Sequence, residues 1–309
     1  MIMGYTYSVI ITTHNRKNYL SQTCSELRRL SGQLEEVIVT LDGCDDGSEE
    51  AVRETIPNVR LIVNANRVGS IPARDRMMRM ARGQIVISLD DDSYPAQPDF
   101  LAKLEQVLAE RPEAAVIAFR ELRDGEADAA SPPEEGRWVS WFSNCGAAYR
   151  RNLYGQLLAF PPHFEHAYEE PDYALQAYAA GYGVWREPSL VVRHHFAPSD
   201  RSYQRRHAFQ ARNETLSVLM RCPLAMLPFI LGLRWIRQAM YSTRAGFSWL
   251  TGEPLRWARL WPALRESLRL RSPVGYRSYW LWFRMNRRPV ADPRQFCAGQ
   301  RPSILRSDA

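Results

Sequence analysis

The stretch Ile85-Val86-Ile87-Ser88-Leu89-Asp90-Asp91-Asp92 decides the fold of this chain. Its apolar and β-branched first part predicts a buried strand, and this strand stops at three consecutive carboxylates. Oxygen ligands of this kind suit Mg²⁺ or Mn²⁺, which leave coordination positions for a substrate phosphate. If successive side chains alternate faces, Asp90 and Asp92 point one way and Asp91 points the other. The alternative is a polar turn after a strand, because Asp is common in turns.

The composition is that of a globular protein. The chain has 309 residues, of which 45% are hydrophobic and 24% are charged, and this length allows one large core or two unequal ones. Its five cysteines include no CxxC pair, so the sequence predicts reduced thiols rather than a zinc site or a disulfide framework. No basic-then-apolar leader precedes the first strand pattern, so we expect a cytoplasmic protein.

The net charge of +6 conceals an uneven distribution. Residues 201–309 contain 20 Arg, no Lys and 5 acidic residues, a balance of +15, so residues 1–200 carry −9. The same C-terminal third holds six of the nine tryptophans. This composition favours an anionic membrane surface as a partner. Nucleic acid would fit the charge equally well, but the sequence has no helix-turn-helix spacing, RNP motif or zinc finger, so we expect no nucleic-acid partner.

Strand and helix patterns alternate through the first 120 residues. This alternation predicts a mostly parallel sheet with helices on both faces. Ligands of such sheets bind beyond the carboxyl ends of the strands, where Thr13, Asp42 and Asp90 all fall. Strands are predicted at 7–13, 36–41, 59–63, 84–89 and 114–119, and helices at 19–30, 49–55, 71–81 and 100–110.

The second half of the chain is less regular. Residues 123–136 are acidic and contain prolines, which predicts a mobile loop. From Tyr203 onwards the pattern is helical. Between these two regions the predicted elements are a strand pattern over 138–149, a helix over Asp172–Ala180 with Pro171 at its first position, and short strands at 183–186 and 190–192.

The C-terminal third has no segment that predicts a membrane-spanning helix. Its most apolar run, Cys222–Leu233, is 12 residues long, whereas a spanning helix needs about 20. Together with the Trp- and Arg-rich segments around Trp235, Trp257 and Trp280, it resembles helices that lie in the headgroup layer of a membrane. A helical subdomain or a dimer interface with Arg-rich outer faces is the alternative.

Five motifs follow one another in a characteristic order. From the N-terminus they are Thr12-Thr13-His14-Asn15-Arg16, Asp42-Gly43-Cys44-Asp45-Asp46-Gly47-Ser48, Asn66-x-x-Gly69-x-x-x-Ala73-Arg74-Asp75, Asp90-Asp91-Asp92 and Glu169-Glu170-Pro171-Asp172. Over about residues 7–215 the sequence thereby resembles the family 2 glycosyltransferases of GT-A fold, which are inverting enzymes with nucleotide-sugar donors. Two departures from the family pattern are Asp75 for the usual Asn and Glu170 for the usual Asp.

The resemblance implies a fold and a division of the chain. The fold is an α/β GT-A fold, which is Rossmann-like with a mostly parallel sheet flanked by helices. Residues 1–212 would form the catalytic domain. Residues 213–309 would form a basic, Arg- and Trp-rich helical extension that associates with a membrane.

The resemblance also implies roles on the donor side. Asp92 would bind Mn²⁺ or Mg²⁺ directly, while Asp90 would reach the ribose or a water on the metal. His194 would add an imidazole ligand, although a histidine pair satisfied at a strand end is the alternative. The remaining implied positions are Thr12 and Arg16 in the nucleotide pocket, Asp42 at the base, Arg74 at the diphosphate, and Asp91 as the solvent-facing member of the triplet.

Inversion requires a carboxylate within about 3 Å of the attacking hydroxyl. Glu170 matches the second position of the family's E-D pair and is the predicted general base, with Glu169 and Asp172 as alternatives. A role as a helix cap does not exclude catalysis, because a base at a helix N-terminus would also stay ionised.

The predicted function is transfer of a sugar from a UDP-, GDP- or dTDP-sugar to a hydroxyl of a lipid-linked or cell-envelope glycan, at the cytoplasmic face of the membrane. One alternative, a sugar nucleotidyltransferase, would want a Gly-rich phosphate loop where this chain has Thr12-Thr13-His14-Asn15-Arg16. The other is a non-catalytic module that binds nucleotide-sugar or glycan, which would be favoured if Glu170 and Asp92 proved dispensable. An oligomer is compatible with the sequence.

Overall fold

Strand-helix units build the N-terminal half of the computed structural model, which describes residues 4–56, 58–126, 135–156, 158–195, 203–245 and 261–285. The centre of the predicted acidic loop, residues 127–134, and the segment around Trp257 lie outside the described residues. The strands are β1 (Tyr7–Thr13), β2 (Glu36–Asp42), β3 (Arg60–Asn64), β4 (Ile85–Asp90), β5 (Ser93–Pro95), β6 (Ala114–Arg123), β7 (Arg137–Val139), β8 (Gly146–Arg150) and β9 (Gly183–His194). The helices are α1 (Lys17–Leu27), α2 (Ser48–Thr55), α3 (Ser70–Met80), α4 (Phe100–Glu110), α5 (Glu169–Ala179), α6 (Tyr203–Arg221), α7 (Leu227–Ala245), α8 (Trp261–Arg269) and α9 (Tyr276–Met285).

The strands of the described chain join one sheet in the order β3-β2-β1-β4-β8-β6-β9-β5, with β7 paired to β9. β1 lies between β2 and β4 and is parallel to both, with Ile10 opposite Ile38 and Ser88. β8 runs antiparallel between β4 and β6. The sheet is therefore mixed, and its half from β3 to β4 is parallel throughout, as the alternation of strands and helices predicts.

Parallel pairing brings the ends of three strands to one edge of the sheet. The half-buried Thr12 lies opposite Thr40 of β2 and Asp90 of β4. The three polar motifs that follow β1, β2 and β4 are therefore neighbours. This is the edge at which sheets of this type bind ligands.

Apolar strand residues are buried on both faces of the sheet. Val9 and Ile11 pack with Leu20 of α1 and Leu104 of α4 on one face, whereas Ile10 packs in a second cluster on the other face. Because successive strand residues point to opposite faces and helices cover both, apolar residues occupy consecutive positions, as in Val9-Ile10-Ile11 and Val37-Ile38-Val39. Polar side chains can reach solvent chiefly at the strand ends.

Several elements differ from their predicted boundaries. The strand pattern predicted over 138–149 divides into β7 and β8, β6 continues to Arg123, and α1 ends at Leu27. The predicted strands at 183–186 and 190–192 form one strand, β9, and its pairing with β6 skips residues 188–190. A bulge of this kind joins two strand pieces without ending the strand. α5 begins at Glu169, three residues before the predicted start, because acidic residues and a proline are all favourable in a first helical turn.

The helices that follow β9 pack on α5. α6 runs without a break from Tyr203 to Arg221, so the predicted boundary between residues 212 and 213 falls inside a helix. The helical pattern predicted from Tyr203 onwards thus begins at the first residue of α6. None of the helices in the described ranges has both the length and the apolar character needed to cross a bilayer. The apolar cluster that the helices share comprises Leu175, Tyr178, Val218, Cys222, Ile230, Tyr279 and Trp282.

α7 carries an apolar stripe on its exposed side. Phe229, Leu233, Ile236 and Met240 are 61%, 37%, 60% and 52% exposed. Their spacing of four, three and four residues places them on one face of the helix. Trp235, next to this stripe, is also exposed. A contiguous exposed apolar surface is typical of contact with another molecule.

Candidate functional site

The Asp90-Asp91-Asp92 triplet turns out of the sheet at the end of β4. Asp90 is the last strand residue, and Asp91 and Asp92 form a turn, so the alternation of a strand no longer decides their directions. Arg16 bridges both, with Nη1 2.6 Å from an Asp91 oxygen and Nη2 2.8 Å from an Asp92 oxygen. The prediction that Asp91 faces solvent is wrong, because Asp91 is only 5% exposed.

Asp91 connects the turn to the first strand and helix. Its carboxylate accepts a hydrogen bond from Thr13 Oγ1 at 2.7 Å, and the Thr23 hydroxyl donates to its carbonyl oxygen at 2.9 Å. Burial raises the pKa of Asp91 to about 7, against the lowering effect of Arg16. Arg16, predicted to line the nucleotide pocket, is occupied by this turn in the ligand-free chain.

Three ligand atoms converge beside the turn, one each from Asp90, Asp92 and His194, and all lie within 4.8 Å of one another. His194 ends β9, with Nε2 3.1 Å from Asp92 Oδ1 and Nδ1 2.5 Å from Glu121 Oε1. A carboxylate on the second nitrogen orients a metal-binding imidazole. Two carboxylates and an imidazole suit Mn²⁺ or Mg²⁺. The predicted residues therefore fit a divalent ion, and Glu121 is a supporting residue that the sequence did not indicate.

A second group of possible ligands shares His194 and adds Glu121 and Cys145. Burial raises the pKa of the Cys145 thiol, and a protonated thiol is a poor ligand for a hard cation. Burial lowers the pKa of His194, but its hydrogen bonds to Asp92, Cys145 and Glu121 raise that pKa to about 12, so the imidazole is protonated in the ligand-free chain and a metal ion would displace that proton. The group with two aspartates is therefore the better candidate for Mn²⁺ or Mg²⁺.

Arg74 connects this group to the carboxylates of α5. Its guanidinium is 5% exposed, pairs with Asp90 and lies 4.0 Å from Glu169 Oε1. Burial lowers the pKa of Arg74, and the attraction of Asp90 and Glu169 raises it, so the side chain stays charged. The resemblance predicts that Arg74 contacts the diphosphate. In the structure its guanidinium instead contacts two carboxylates of the protein, those of Asp90 and Glu169.

Asp42 anchors the loop that leads to α3. Its carboxylate accepts hydrogen bonds from Asn64 Nδ2 and from the backbone N–H groups of Val68 and Gly69, each at 2.9 Å. Gly69 has φ of 105°, and a Cβ there would lie 2.6 Å from the carbonyl oxygen of Glu165. Asp42, which the resemblance places at the nucleotide base, thus holds the loop around Val68 and Gly69. This loop contacts Glu165 in the segment before α5.

Glu169 and Glu170 form a carboxylate pair at the start of α5. Asn144, which the sequence did not indicate, donates to both, from Nδ2 to Glu169 at 3.0 Å and from its backbone N–H to Glu170 at 3.4 Å. Glu169 is 3% exposed, whereas Glu170 is half-buried and lines a cavity. Burial and repulsion by Glu169 raise the pKa of Glu170 well above its ordinary value. Glu170 thus combines a high proton affinity with access for a ligand.

Asp172, the third candidate base, is a structural residue. It is fully buried, and its oxygens accept hydrogen bonds from Ser217 at 2.6 Å and Gln176 at 2.7 Å. Arg221 Nη2 also lies 3.2 Å from it. No surface of this carboxylate is left for an acceptor hydroxyl, so its role is to tie α6 to α5.

Arg212 and Asn213 hold the segment that precedes α5. Asn213 Nδ2 lies within 3.0 Å of three carbonyl oxygens in residues 164–167, and Arg212 Nη1 lies 3.2 Å from Glu165. This segment contains three non-glycine residues with φ between 63° and 72°, a conformation that costs free energy unless neighbouring groups support it. No role for Arg212 and Asn213 could be predicted from the sequence, because their partners lie almost 50 residues upstream.

A cavity of about 500 Å³ lies between residues 141–143, the start of α5 and the C-terminal helices. Glu170 lines it from α5, Glu214 from α6, and Arg234 and Arg237 from α7. The sequence indicated Arg234 and Arg237 only as part of an interfacial segment. Their spacing of three residues was the available signal that both lie on one helix face.

Comparisons with known proteins concern the family and the fold of the chain. A sequence model of glycosyl transferase family 2 matches residues 8–180. No curated protein matches the chain.

Solved structures with the same fold include three glycosyltransferase complexes. A mannosyltransferase, PcManGT from Pyrobaculum calidifontis, in complex with GDP-Man and Mn²⁺, is 20% identical with a TM-score of 0.54, over 86% of this chain and 85% of that one. TarS from S. aureus in complex with UDP-GlcNAc is 17% identical with a TM-score of 0.56, over 98% and 91%. GalNAc-T7 with UDP, GalNAc and Mn²⁺ is 16% identical with a TM-score of 0.59, over 72% and 49%. The fold is accordingly that of GT-A glycosyltransferases.

Proposed function

Because this chain belongs to glycosyl transferase family 2, we propose that it moves a sugar, with inversion, from a nucleotide-diphosphate-sugar to an acceptor hydroxyl. Asp90, Asp92 and His194 would hold Mn²⁺ or Mg²⁺, and Glu170 would act as general base. The observation that carries the proposal is Arg74, whose guanidinium joins Asp90 to Glu169. This buried connection supports the assignment of Asp90 and the carboxylate pair to one site.

On the donor side, the metal ion would neutralise the charge that develops on the leaving diphosphate. Although burial raises the pKa of Asp92, His194 and Arg16 outweigh it and hold that pKa below its ordinary value. Asp92 is therefore ionised and ready to act as a ligand. Thr12 and the loop anchored by Asp42 would border the nucleotide. GDP and UDP sugars are present in the PcManGT and TarS complexes, so UDP-, GDP- and dTDP-sugars are the donors to test.

On the acceptor side, Glu170 would remove the proton of a hydroxyl bound in the cavity. That oxygen then attacks the anomeric carbon from the face opposite the diphosphate, which inverts the configuration. The raised pKa of Glu170 makes it a stronger base than an exposed glutamate once it is ionised. Glu169, buried between Arg74 and Asn144, would orient its neighbour rather than react.

The first experiment is a Glu170→Gln replacement. We expect the variant to bind donor with unchanged affinity and to lose transfer activity by about 10²–10⁴-fold, the contribution typical of a general base. Glu54→Gln on the exposed side of α2 is the matched control. Donor affinity is measured by calorimetry and transfer by release of nucleoside diphosphate. Transfer near the wild-type rate would place the base elsewhere.

We place the acceptor, a lipid-linked or cell-envelope glycan, at the cytoplasmic face of an anionic membrane. Two observations support this location: the exposed apolar stripe of α7 and the balance of +15 over residues 201–309. Apolar insertion and attraction to anionic lipid are the two contributions that hold an interfacial helix on a membrane.

A further inference from the structure

One wall of the cavity beside Glu170 consists of a buried carboxylate and two guanidinium groups. Glu214 is 4% exposed and pairs with Arg234 at 2.7 Å and with Arg237. Two cations around one anion leave this wall with a net charge of +1. The Arg234 side chain is 12% exposed and Glu214 compensates its charge, whereas the Arg237 side chain is 55% exposed. The excess positive charge therefore lies on the accessible side of the wall, where an anionic ligand can pair with it.

Hydrogen-bond donors remain available in the same cavity. Arg234 Nε is buried and has no hydrogen-bond partner among the described residues. The indole of Trp282, 3% exposed, also lines the cavity, and its Nε1 has no such partner in the part of the chain that the structure describes. Buried donors without partners are rare in folded proteins. Two side chains of the cavity lining therefore carry unsatisfied donors.

The cavity also has the size and the apolar surface that a sugar needs. Its volume of about 500 Å³ lies within the roughly 300–1,000 Å³ typical of small-molecule sites. Trp141 lines the cavity and is 64% exposed. An open indole face can pack against the apolar face of a sugar ring.

We propose that this cavity binds the acceptor and selects a sugar that carries an anionic group, either a phosphate or a carboxylate, through Arg234 and Arg237. The inference rests on the proposed function, because Glu170 in the same cavity would activate the acceptor hydroxyl. Guanidinium groups bind phosphate and carboxylate through paired N–H donors. Glu214 is a positioning residue that keeps the two guanidinium groups together.

The test is calorimetric titration of the full chain with glucose 6-phosphate, glucuronate and glucose. The donor site is first saturated with Mn²⁺ and UDP or GDP, whichever stabilises the protein more, so that the probes cannot bind there. We expect glucose 6-phosphate and glucuronate to bind at least tenfold more tightly than glucose. Arg237→Gln should remove about tenfold of that affinity, as expected for a charge-assisted hydrogen bond, and should leave glucose unaffected.

The matched control is Arg269→Gln on α8, which removes an arginine that is 74% exposed and ion-paired with Glu266 outside the cavity lining. A melting curve of each variant shows whether it folds. If Arg237→Gln unfolds, Trp282→Phe, which removes the indole N–H together with the five-membered ring, takes its place and should weaken binding of the anionic sugars severalfold. Equal binding of glucose and glucose 6-phosphate, or equal affinity of wild type and both cavity variants, would overturn the inference.

Two further arms separate this inference from its alternatives. Vesicles of phosphatidylglycerol are added to the complex with glucose 6-phosphate, and displacement of the sugar would mean that the cavity takes a lipid headgroup, which overturns the sugar assignment. Transfer that depends on Glu170 but proceeds equally well to neutral sugars would overturn the inference and leave the proposed function intact. Binding of glucose 6-phosphate that depends on Arg237, in a chain without transfer activity, would support the site and refute the function.

Discussion

Glu170 is subject to opposing electrostatic influences. Burial and Glu169 raise its pKa, whereas Arg74 lowers it, and the raising effects prevail. The folded protein therefore binds a proton at Glu170 more tightly than the unfolded chain does. Ionising this carboxyl at neutral pH costs stability, and catalysis needs the ionised form. Such a conflict between stability and chemistry is common at active sites.

This conflict predicts that Glu170→Gln raises the melting temperature of the ligand-free protein at pH 8. Such a carboxyl is protonated in both the folded and the unfolded state below its unfolded-state pKa of about 4.3, and there the fold keeps its full stability. As the pH rises through the folded-state pKa, the carboxyl ionises in the folded protein and that stability is lost. Glutamine resembles the protonated form and keeps that contribution at every pH. The gain should therefore disappear near pH 4.

Scanning calorimetry of wild type and variant between pH 4 and pH 8 measures this difference. The exposed Glu54→Gln variant serves as the reference, because it removes a carboxyl that is already in water. A melting temperature of Glu170→Gln at or below that of wild type at pH 8 would show that the carboxylate is not destabilising in the fold.

α6 matters to the site although its residues do not carry the chemistry. Asn213 holds the carbonyl groups of the segment before α5, and Ser217 and Arg221 hold Asp172 inside α5. The family match ends at residue 180, so the support for the carboxylate pair lies beyond the matched part. α6 therefore supports the segment that carries Glu169 and Glu170, and it also forms one wall of the cavity.

α7 is the element that we expect to meet the membrane. Wild-type protein should pellet with vesicles that contain anionic lipid and should pellet less at high salt, because salt screens the attraction of the arginines. Ile236→Glu in the exposed stripe should weaken vesicle binding about tenfold or more, since burying one isoleucine is worth about 2 kcal/mol.

Val63→Glu provides the control for this sedimentation assay. Val63 lies on β3 and is 55% exposed, similar to the 60% of Ile236. The Val63→Glu variant adds the same negative charge as Ile236→Glu, but in the N-terminal half of the chain. Equal losses for the two variants, or binding that is independent of salt and of anionic lipid, would refute the membrane role of α7.

At the scale of the whole molecule, donor binding should stabilise the fold. A ligand that binds only the native state at a hundredfold excess over its Kd adds about 2.7 kcal/mol. We therefore expect one of UDP, GDP and dTDP to raise the melting temperature by several degrees when Mn²⁺ is present. Asp92→Asn should abolish the part of the shift that depends on Mn²⁺.

The control for this thermal shift is Asp99→Asn, whose carboxylate is exposed and pairs with Lys103 at the start of α4. It changes the charge by the same amount away from the triplet. A shift in Asp92→Asn that equals the wild-type shift with Mn²⁺ would exclude Asp92 as a metal ligand.

The sequence predicted the parallel half of the sheet, because consecutive apolar residues in the strands and interleaved helices are local signals. The contacts of residues at the strand ends depend on partners that are distant in the chain. There some predicted positions agree with the structure and others do not. Asp92 and His194 lie together as the motifs indicated. Asp91 does not face solvent, because Arg16, 75 residues earlier, draws it into the turn. Asp172 is occupied by side chains of α6, and no local pattern could show this pairing.

Gly69 brings the loop anchored by Asp42 into contact with the segment that leads to Glu170. Its N–H is bonded to Asp42, and the carbonyl of Glu165 lies where a side chain would begin. The loop anchored by Asp42 and the segment leading to Glu170 are therefore in direct backbone contact. Under the proposed function, we expect a donor that tightens the loop to alter the affinity of the neighbouring segment for its acceptor, and reciprocity requires an equal effect in return.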